Sequence, residues 1–264
     1  SDLASLKTSA VRDPNDPERF ILNGQKVWTS YAEKSDWIFC LVRTNPNVPK
    51  QAGITFLLVD MATPGVTTRP IRLISGASPF CEVFFTDVVA HARNVIGGVD
   101  QGWTVAKALL GHERTMVGEV FAQSVAGGEE QLVEAARTYL GSGEDGRVSD
   151  ALVRDRIARI AMDERAFMLT VKRVVQARHG AKAGQGPGPE SSILKIFGTE
   201  LNQRRRELAV EIAGSDGLGW EGDDYPAEAL TATREWLRSR GNTIEGGTSE
   251  IQLDIIAKHT LGLP

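Results

Sequence analysis

Two neighbouring residues, Glu113 and Arg114, have the types and the spacing that could deprotonate a substrate and hold it. The surrounding residues have no proline and carry apolar side chains at helical spacing, which predicts that both lie on a helix. A carboxylate can act as a general base, best when partial burial raises its pKa toward the working pH. The adjacent arginine could hold an anionic or polar part of the same substrate. The alternative is a solvated helix face or an ordinary ion pair.

A tryptophan and two hydroxyl side chains stand together in the segment Val27-Trp28-Thr29-Ser30, which ends a predicted strand. An indole can cover a flat, redox-active ring, while a hydroxyl or a backbone amide binds the polar edge of that ring. The alternative is that Trp28 only packs against the sheet. This segment is therefore a second candidate site.

A third candidate site contains the pair Gly246-Gly247, which would let the backbone approach a ligand closely. Ser249 and Gln252 have the spacing of a capping box, so a helix is expected to begin there. The free amides and the positive dipole end of such a helix can hold a pyrophosphate. Glu245 is a second candidate carboxylate, with a solvated loop residue as the alternative.

The composition is that of an ordinary globular protein and excludes several functions. The 264 residues include 34 acidic and 30 basic side chains, which leaves a net charge of -4 and disfavours a nucleic-acid-binding surface. The cysteines Cys40 and Cys81 form no zinc or disulfide pattern, so we expect no metal and a reducing, cytoplasmic setting. The sequence has no apolar run long enough to predict a membrane-spanning helix. It also has no phosphate-loop or nucleophile motif.

Short runs of β-forming residues fill the first part of the chain and predict antiparallel strands in a compact barrel or sandwich. Asn23-Gly24, between two such runs, predicts a hairpin turn. After Gly97-Gly98 the apolar period changes to that of a helix. Helices are predicted over residues 102–124, 127–140, 150–179, 191–213, 226–240 and 249–260.

The fourth predicted helix is marked at both ends, because Ser191 and Ser192 could cap its start and Gly214 could close its end. The predicted architecture is α+β. An antiparallel β barrel or sandwich domain over residues 1–98 is followed by an antiparallel helical bundle over residues 99–264.

Three segments in this order resemble the acyl-CoA dehydrogenase family. They are Ser1 to Thr8, Asn23 to Ser30 and Ile244 to Ile256, and the resemblance covers nearly the whole chain. Members of that family have an N-terminal helical domain, a middle β domain and a C-terminal helical bundle. The resemblance implies that this chain lacks the first domain and the first strand of the second.

The resemblance implies FAD-dependent α,β-dehydrogenation of an acyl-CoA thioester. The family places its base either immediately before a substrate-binding arginine or in the loop before the C-terminal segment. Glu113 followed by Arg114 matches the first pattern, so Glu113 is the expected base and Arg114 the expected substrate-binding residue. In the second pattern Gly246 stands opposite the family's glutamate, which leaves Glu245 as the reserve.

The resemblance also implies the contacts with FAD and the partners. Trp28 would rest against the isoalloxazine, and the hydroxyl of Ser30 would approach its N5 atom. The expected cofactor-binding residues are Ser1, Trp28, Thr29, Ser30, Gly246, Gly247, Thr248 and Glu250. Electrons would pass to an electron-transfer flavoprotein, and the assembly would be a homo- or hetero-oligomer arranged as a dimer of dimers.

Two departures from the family pattern support an alternative. Where many members carry Arg-x-x-Phe-Gly this chain has Tyr139-Leu140-Gly141-Ser142-Gly143, and Glu211 replaces a glutamine. Both changes weaken the expected grip on FAD. The alternative is a non-catalytic partner subunit of a heteromeric acyl-CoA dehydrogenase, of a type that resembles sterol side-chain enzymes. A flavin oxidase acting on another acidic carbon is a further alternative within the fold.

Overall fold

In the computed structural model the chain forms two compact units, Ser1–Leu110 and Gly111–Pro264. The residues described are 2–110, 112–113, 128–179, 188 and 190–264. Strands occupy the first unit and most of the helices the second, so the predicted α+β class with strands preceding helices is confirmed. The predicted domain boundary between residues 98 and 99 stays a prediction.

The first unit is built on one seven-stranded sheet with the order β5-β6-β2-β1-β3-β4-β7. The strands are β1 (Ser9–Asp13), β2 (Asp16–Ser30), β3 (Trp37–Arg43), β4 (Ile54–Asp60), β5 (Val66–Ile71), β6 (Phe80–His91) and β7 (Val95–Ile96). Buried side chains from β2, β3, β4 and β6 form a single cluster. This cluster is the hydrophobic core of the first unit.

One strand pair departs from the predicted antiparallel arrangement, because β1 pairs with β3 in parallel. Strands β1 and β2 form an antiparallel hairpin. The chain then crosses to the free edge of β1 before β3 begins. Since the strand direction reverses at each of these two steps, β3 runs in the same direction as β1.

The predicted hairpin turn at Asn23-Gly24 is wrong. Both residues lie inside the continuous strand β2, and the turn between β1 and β2 falls at Pro14-Asn15. Gly24 has a φ of +132° at an irregularity in the pairing of β2 with β6. A Cβ at Gly24 would lie 2.8 Å from the Cα of Thr8. The glycine therefore serves a close approach between backbone segments and not a chain reversal.

Where both ends of a helix are described, each end lies within one residue of the predicted bound. Residues 102–110 form helix α1, and His112 and Glu113 are also helical. The other helices are α2 (Gly128–Leu140), α3 (Ala151–His179), α4 (Glu190–Ala213), α5 (Ala227–Ser239) and α6 (Ser249–His259). The predicted helical residues 114–124 lie outside the described part of the chain.

Helix α4 is the centre of the second unit. Leu201 and Leu208 are fully buried in a cluster that also takes side chains from α2 and α3. Gly214, with a φ of +57°, follows the last residue of α4 and ends it as predicted. The predicted serine caps are wrong, because α4 begins at Glu190 and the Ser191 hydroxyl donates to the Gly188 carbonyl at 2.8 Å.

Within the described ranges, no helix has the length and apolar character that a membrane crossing requires.

Candidate functional site

The end of strand β2 holds a strained tryptophan. Two residues of β2, Val27 and Trp28, face the single residue Glu82 of β6, which makes a β-bulge. Trp28 has a φ of 63°, in the left-handed region. For a residue with a bulky side chain this conformation costs about 1–2 kcal/mol. The bulge aims the indole in a direction that a regular strand would not allow.

The indole of Trp28 is 59% exposed although it belongs to a strand. Its ring meets the ring of Phe80 edge to face, with centroids 6.1 Å apart and planes at 84°. Thr29 is half-buried beside it, and the exposed Ser30 is the last residue of β2. An open aromatic face next to a hydroxyl can hold the flat ring that the sequence pattern predicts. Ser1, the other predicted ring contact, lies outside the described residues.

The predicted base lies in the second unit. Glu113 is helical and exposed to solvent. Arg114, its predicted substrate-binding neighbour, lies outside the described residues. The structure therefore describes one half of this pair, and the role of both residues stays a prediction.

The reserve carboxylate, Glu245, is held by two partners. Its carboxylate accepts a hydrogen bond from Nη2 of Arg238 at 2.7 Å. It accepts a second from Nδ2 of Asn242 at 2.6 Å. Both carboxylate oxygens of Glu245 therefore have a hydrogen-bond donor. That Glu113 is the base and Glu245 the reserve stays a prediction.

Helix α6 starts one residue earlier than its predicted capping box implies. Thr248 is the N-cap, and its hydroxyl accepts the Ile251 amide at 3.4 Å. Ser249 is the first helical residue. The buried Gln252 turns back beneath the turn and donates from Nε2 to the Gly246 carbonyl at 3.2 Å. Its side chain is thereby directed away from the amide that a capping box at Ser249 would use.

Sequence reasoning missed a buried cation beneath this turn. Lys195 of α4 is 1% exposed, and burial lowers the pKa of its ammonium while Glu245 and Glu250 oppose that shift. Glu250, predicted to lie near the cofactor, is exposed. Hydrogen bonds from its own amide and from Thr248 lower the pKa of its carboxyl. A lysine inside the apolar run from 193 to 197 is the sequence signal that could have identified this residue.

We expect Gly247→Ala to loosen the start of α6. Gly247 has a φ of +96°, and a Cβ there would lie 2.4 Å from Nε2 of Gln252. The left-handed backbone and the clash together should destabilise the turn by about 1–3 kcal/mol. Hydrogen exchange of the α6 amides measures this, with Gly262→Ala as the control because Gly262 also has a positive φ but an open surrounding. Equal exchange in both variants would contradict the role assigned to Gly247.

Two family models match the chain. "Acyl-CoA dehydrogenase, middle domain" matches residues 1–88, and "Acyl-CoA dehydrogenase, C-terminal domain" matches residues 100–261. The chain belongs to the acyl-CoA dehydrogenase family. The resemblance read from the sequence is thereby confirmed.

Relatives within the acyl-CoA dehydrogenase family include proteins of known sequence and of known structure. Acyl-CoA dehydrogenase FadE34 of Mycobacterium tuberculosis is 38% identical over all of this chain, which spans 34% of that protein. The Tcur3481-Tcur3483 steroid ACAD is 26% identical with a TM-score of 0.86, over the whole chain and 65% of the matched one. The ChsE4-ChsE5 complex from Mycobacterium tuberculosis is 28% identical with a TM-score of 0.82, over the whole chain and 66% of the matched one. The chain thus spans between a third and two thirds of the length of these relatives.

Proposed function

We propose that this chain is part of an FAD-dependent acyl-CoA dehydrogenase that introduces an α,β double bond into an acyl-CoA thioester. The observation that carries the proposal is the match of both family models over residues 1–88 and 100–261. Two local features support the proposal. The exposed indole of Trp28 could contact the flat ring of FAD, and the Gly-Gly turn before α6 could contact its phosphates. The similarity to a steroid ACAD favours a steroid-derived acyl-CoA thioester as the substrate.

The described residues fit FAD at each of two places. At the end of β2, the plane of Trp28 is open and the hydroxyl of Ser30 lies at the strand end. At the start of α6, Gly246 and Gly247 present backbone without side chains, and the capped helix offers its positive end to phosphate. When bound, FAD would accept the β hydrogen of the thioester with its electron pair.

Glu113 would take the α proton on its carboxylate in the same reaction. An α proton of a thioester is acidic enough for a carboxylate only when hydrogen-bond donors polarise the carbonyl oxygen. Arg114 would hold a polar part of the substrate. An electron-transfer flavoprotein would then accept the electrons, in a homo- or hetero-oligomeric assembly.

The test is the visible spectrum of the purified protein, followed by anaerobic addition of acyl-CoA thioesters. We expect a flavin band at near one FAD per chain, and loss of that band when a suitable straight-chain or sterol side-chain thioester is added. A protein that takes up no FAD, alone or with its copurifying subunits, would contradict the proposal.

The alternative is that the chain is a non-catalytic subunit of a heteromeric dehydrogenase. Glu211, which replaces a glutamine of the family pattern, forms an ion pair with Arg156. Gly141, with a φ of +80°, follows the end of α2 where the family pattern has Arg-x-x-Phe-Gly. Neither position offers the side chain expected to grip FAD. FAD at half the number of chains, together with a second dehydrogenase subunit, would favour this alternative.

A further inference from the structure

We infer that Phe80 is a positioning residue, whose ring holds the indole of Trp28 so that one face of the indole stays open to a flat ligand. This inference rests on the proposed function for the identity of that ligand, FAD. The part of the inference that concerns the contact between Phe80 and Trp28 depends only on the end of β2 and the start of β6. Phe80 is the first residue of β6 and is half-buried.

The backbone around Phe80 is fixed on both sides. Phe80 pairs with Ser30 of β2 and with Ile71 of β5, so it belongs to two ladders at once. The preceding carbonyl, of Pro79, accepts the amide of Tyr31 at 2.8 Å. The backbone that carries the ring is therefore held beside β2.

The residue that follows adds a further anchor. Cys81 is fully buried, and its thiol donates to the carboxylate of Glu33 at 2.9 Å. Cys81 also pairs with Thr29, the residue directly after the tryptophan. The segment that carries Phe80 is therefore fastened to the residues that directly follow Trp28.

Trp28, by contrast, has the features of a side chain that needs external support. Its backbone lies in the left-handed region within a bulge, and its indole is 59% exposed. An exposed side chain can change rotamer unless a neighbour selects one. The contact with Phe80, in which the two ring planes meet at 84°, favours one rotamer of Trp28.

The perpendicular geometry also leaves room for a ligand. In an edge-to-face pair one ring uses its edge and the other uses one of its faces. Whichever ring uses its face, at least one face of the indole remains uncovered by Phe80. A stacked pair would have covered more of the indole plane.

The test compares Phe80→Leu, which removes the ring but keeps an apolar side chain, with Phe80→Tyr, which keeps the ring. Phe84→Leu is the matched control, because Phe84 lies on the same strand and contacts Arg69. The first readout is the mobility of the Trp28 indole N–H by 15N NMR relaxation, assigned with Trp28→Phe. This readout needs no cofactor. The second readout is the dissociation constant for FAD.

We expect Phe80→Leu to make the indole mobile and to weaken FAD binding by about threefold to tenfold. Phe80→Tyr should restore both, and Phe84→Leu should change neither. An equally ordered indole in Phe80→Leu would overturn the inference. So would a mobile indole with unchanged FAD affinity. If the unaltered protein binds no FAD, the proposed function fails, while the indole mobility still decides whether Phe80 positions Trp28.

Discussion

Glu113→Gln is expected to leave FAD bound and to slow the anaerobic bleaching of the flavin by acyl-CoA about a hundredfold or more. The amide has nearly the shape of the carboxylate but cannot accept the α proton. Since Glu113 is exposed on a helix, the substitution should not disturb the packing of the second unit. Stopped-flow absorbance of the flavin band, with the assembled protein and excess thioester, measures the effect.

A matched control separates the base from a general effect of charge. Glu130 of α2 is also an exposed helical glutamate, and Glu130→Gln should bleach at the rate of the unaltered protein. Glu245→Gln tests the reserve position, where the carboxylate is bound by Arg238 and Asn242. A large loss in Glu245→Gln with unchanged bleaching in Glu113→Gln would assign the base to the turn before α6.

The order and type of the elements could be predicted because they depend on local patterns. The helical period after Gly97-Gly98 continues over whole helices, and α3 and α5 lie where that period predicts them. The predicted boundaries differ from the observed ones by one residue at each end of α5. Long, regular patterns leave few alternatives for the backbone.

The sequence could not show that Asn23-Gly24 lies inside a strand, because the turn signal is local and the contact that overrides it is not. Asn-Gly favours positive φ in a turn, but the same freedom also suits a bulge. Only the position of Thr8, against which Gly24 packs, decides between them. Thr8 reaches that place by the pairing of β1 with β2, which the sequence pattern does not specify.

Some contacts within the candidate sites also could not be predicted, because they depend on tertiary structure. Phe80 is distant from Trp28 in sequence, and only the pairing of β2 with β6 brings the two rings together. The ion pair of Glu245 with Arg238 likewise depends on how the chain turns after α5. Residue types and spacing indicate which side chains could react, but partners and orientation come from the tertiary structure.

Substitution of a buried ion pair in the second unit is expected to change the free energy of unfolding by a large amount. Glu164 of α3 is 8% exposed and Arg205 of α4 is 3% exposed. Oε1 of Glu164 lies 3.8 Å from Nη1 of Arg205. Burial raises the pKa of Glu164 and lowers that of Arg205, so desolvation outweighs their mutual attraction. The start of α2 packs closely against this pair. A Cβ at Gly128 would lie only 2.2 Å from Nη1 of Arg205.

The raised pKa of Glu164 fixes the sign of a pH dependence. Because the folded protein holds this proton more tightly than the unfolded chain, the group contributes stability below its ordinary pKa of 4.5. That contribution is lost as the pH rises through the raised pKa. Variants without Glu164 should therefore lack this fall in stability above pH 4.5.

Glu164→Leu alone should destabilise the protein by about 3–5 kcal/mol, because it removes one member of a buried ion pair and keeps the other charge buried. The double variant Glu164→Leu/Arg205→Met removes both charges and keeps the side-chain volume. It should recover most of the loss, since apolar replacements of a buried ion pair are often neutral or stabilising. Urea unfolding of the unaltered protein and the two variants measures these free energies. A double variant as unstable as Glu164→Leu would show that the guanidinium contributes to the fold through contacts other than this pair.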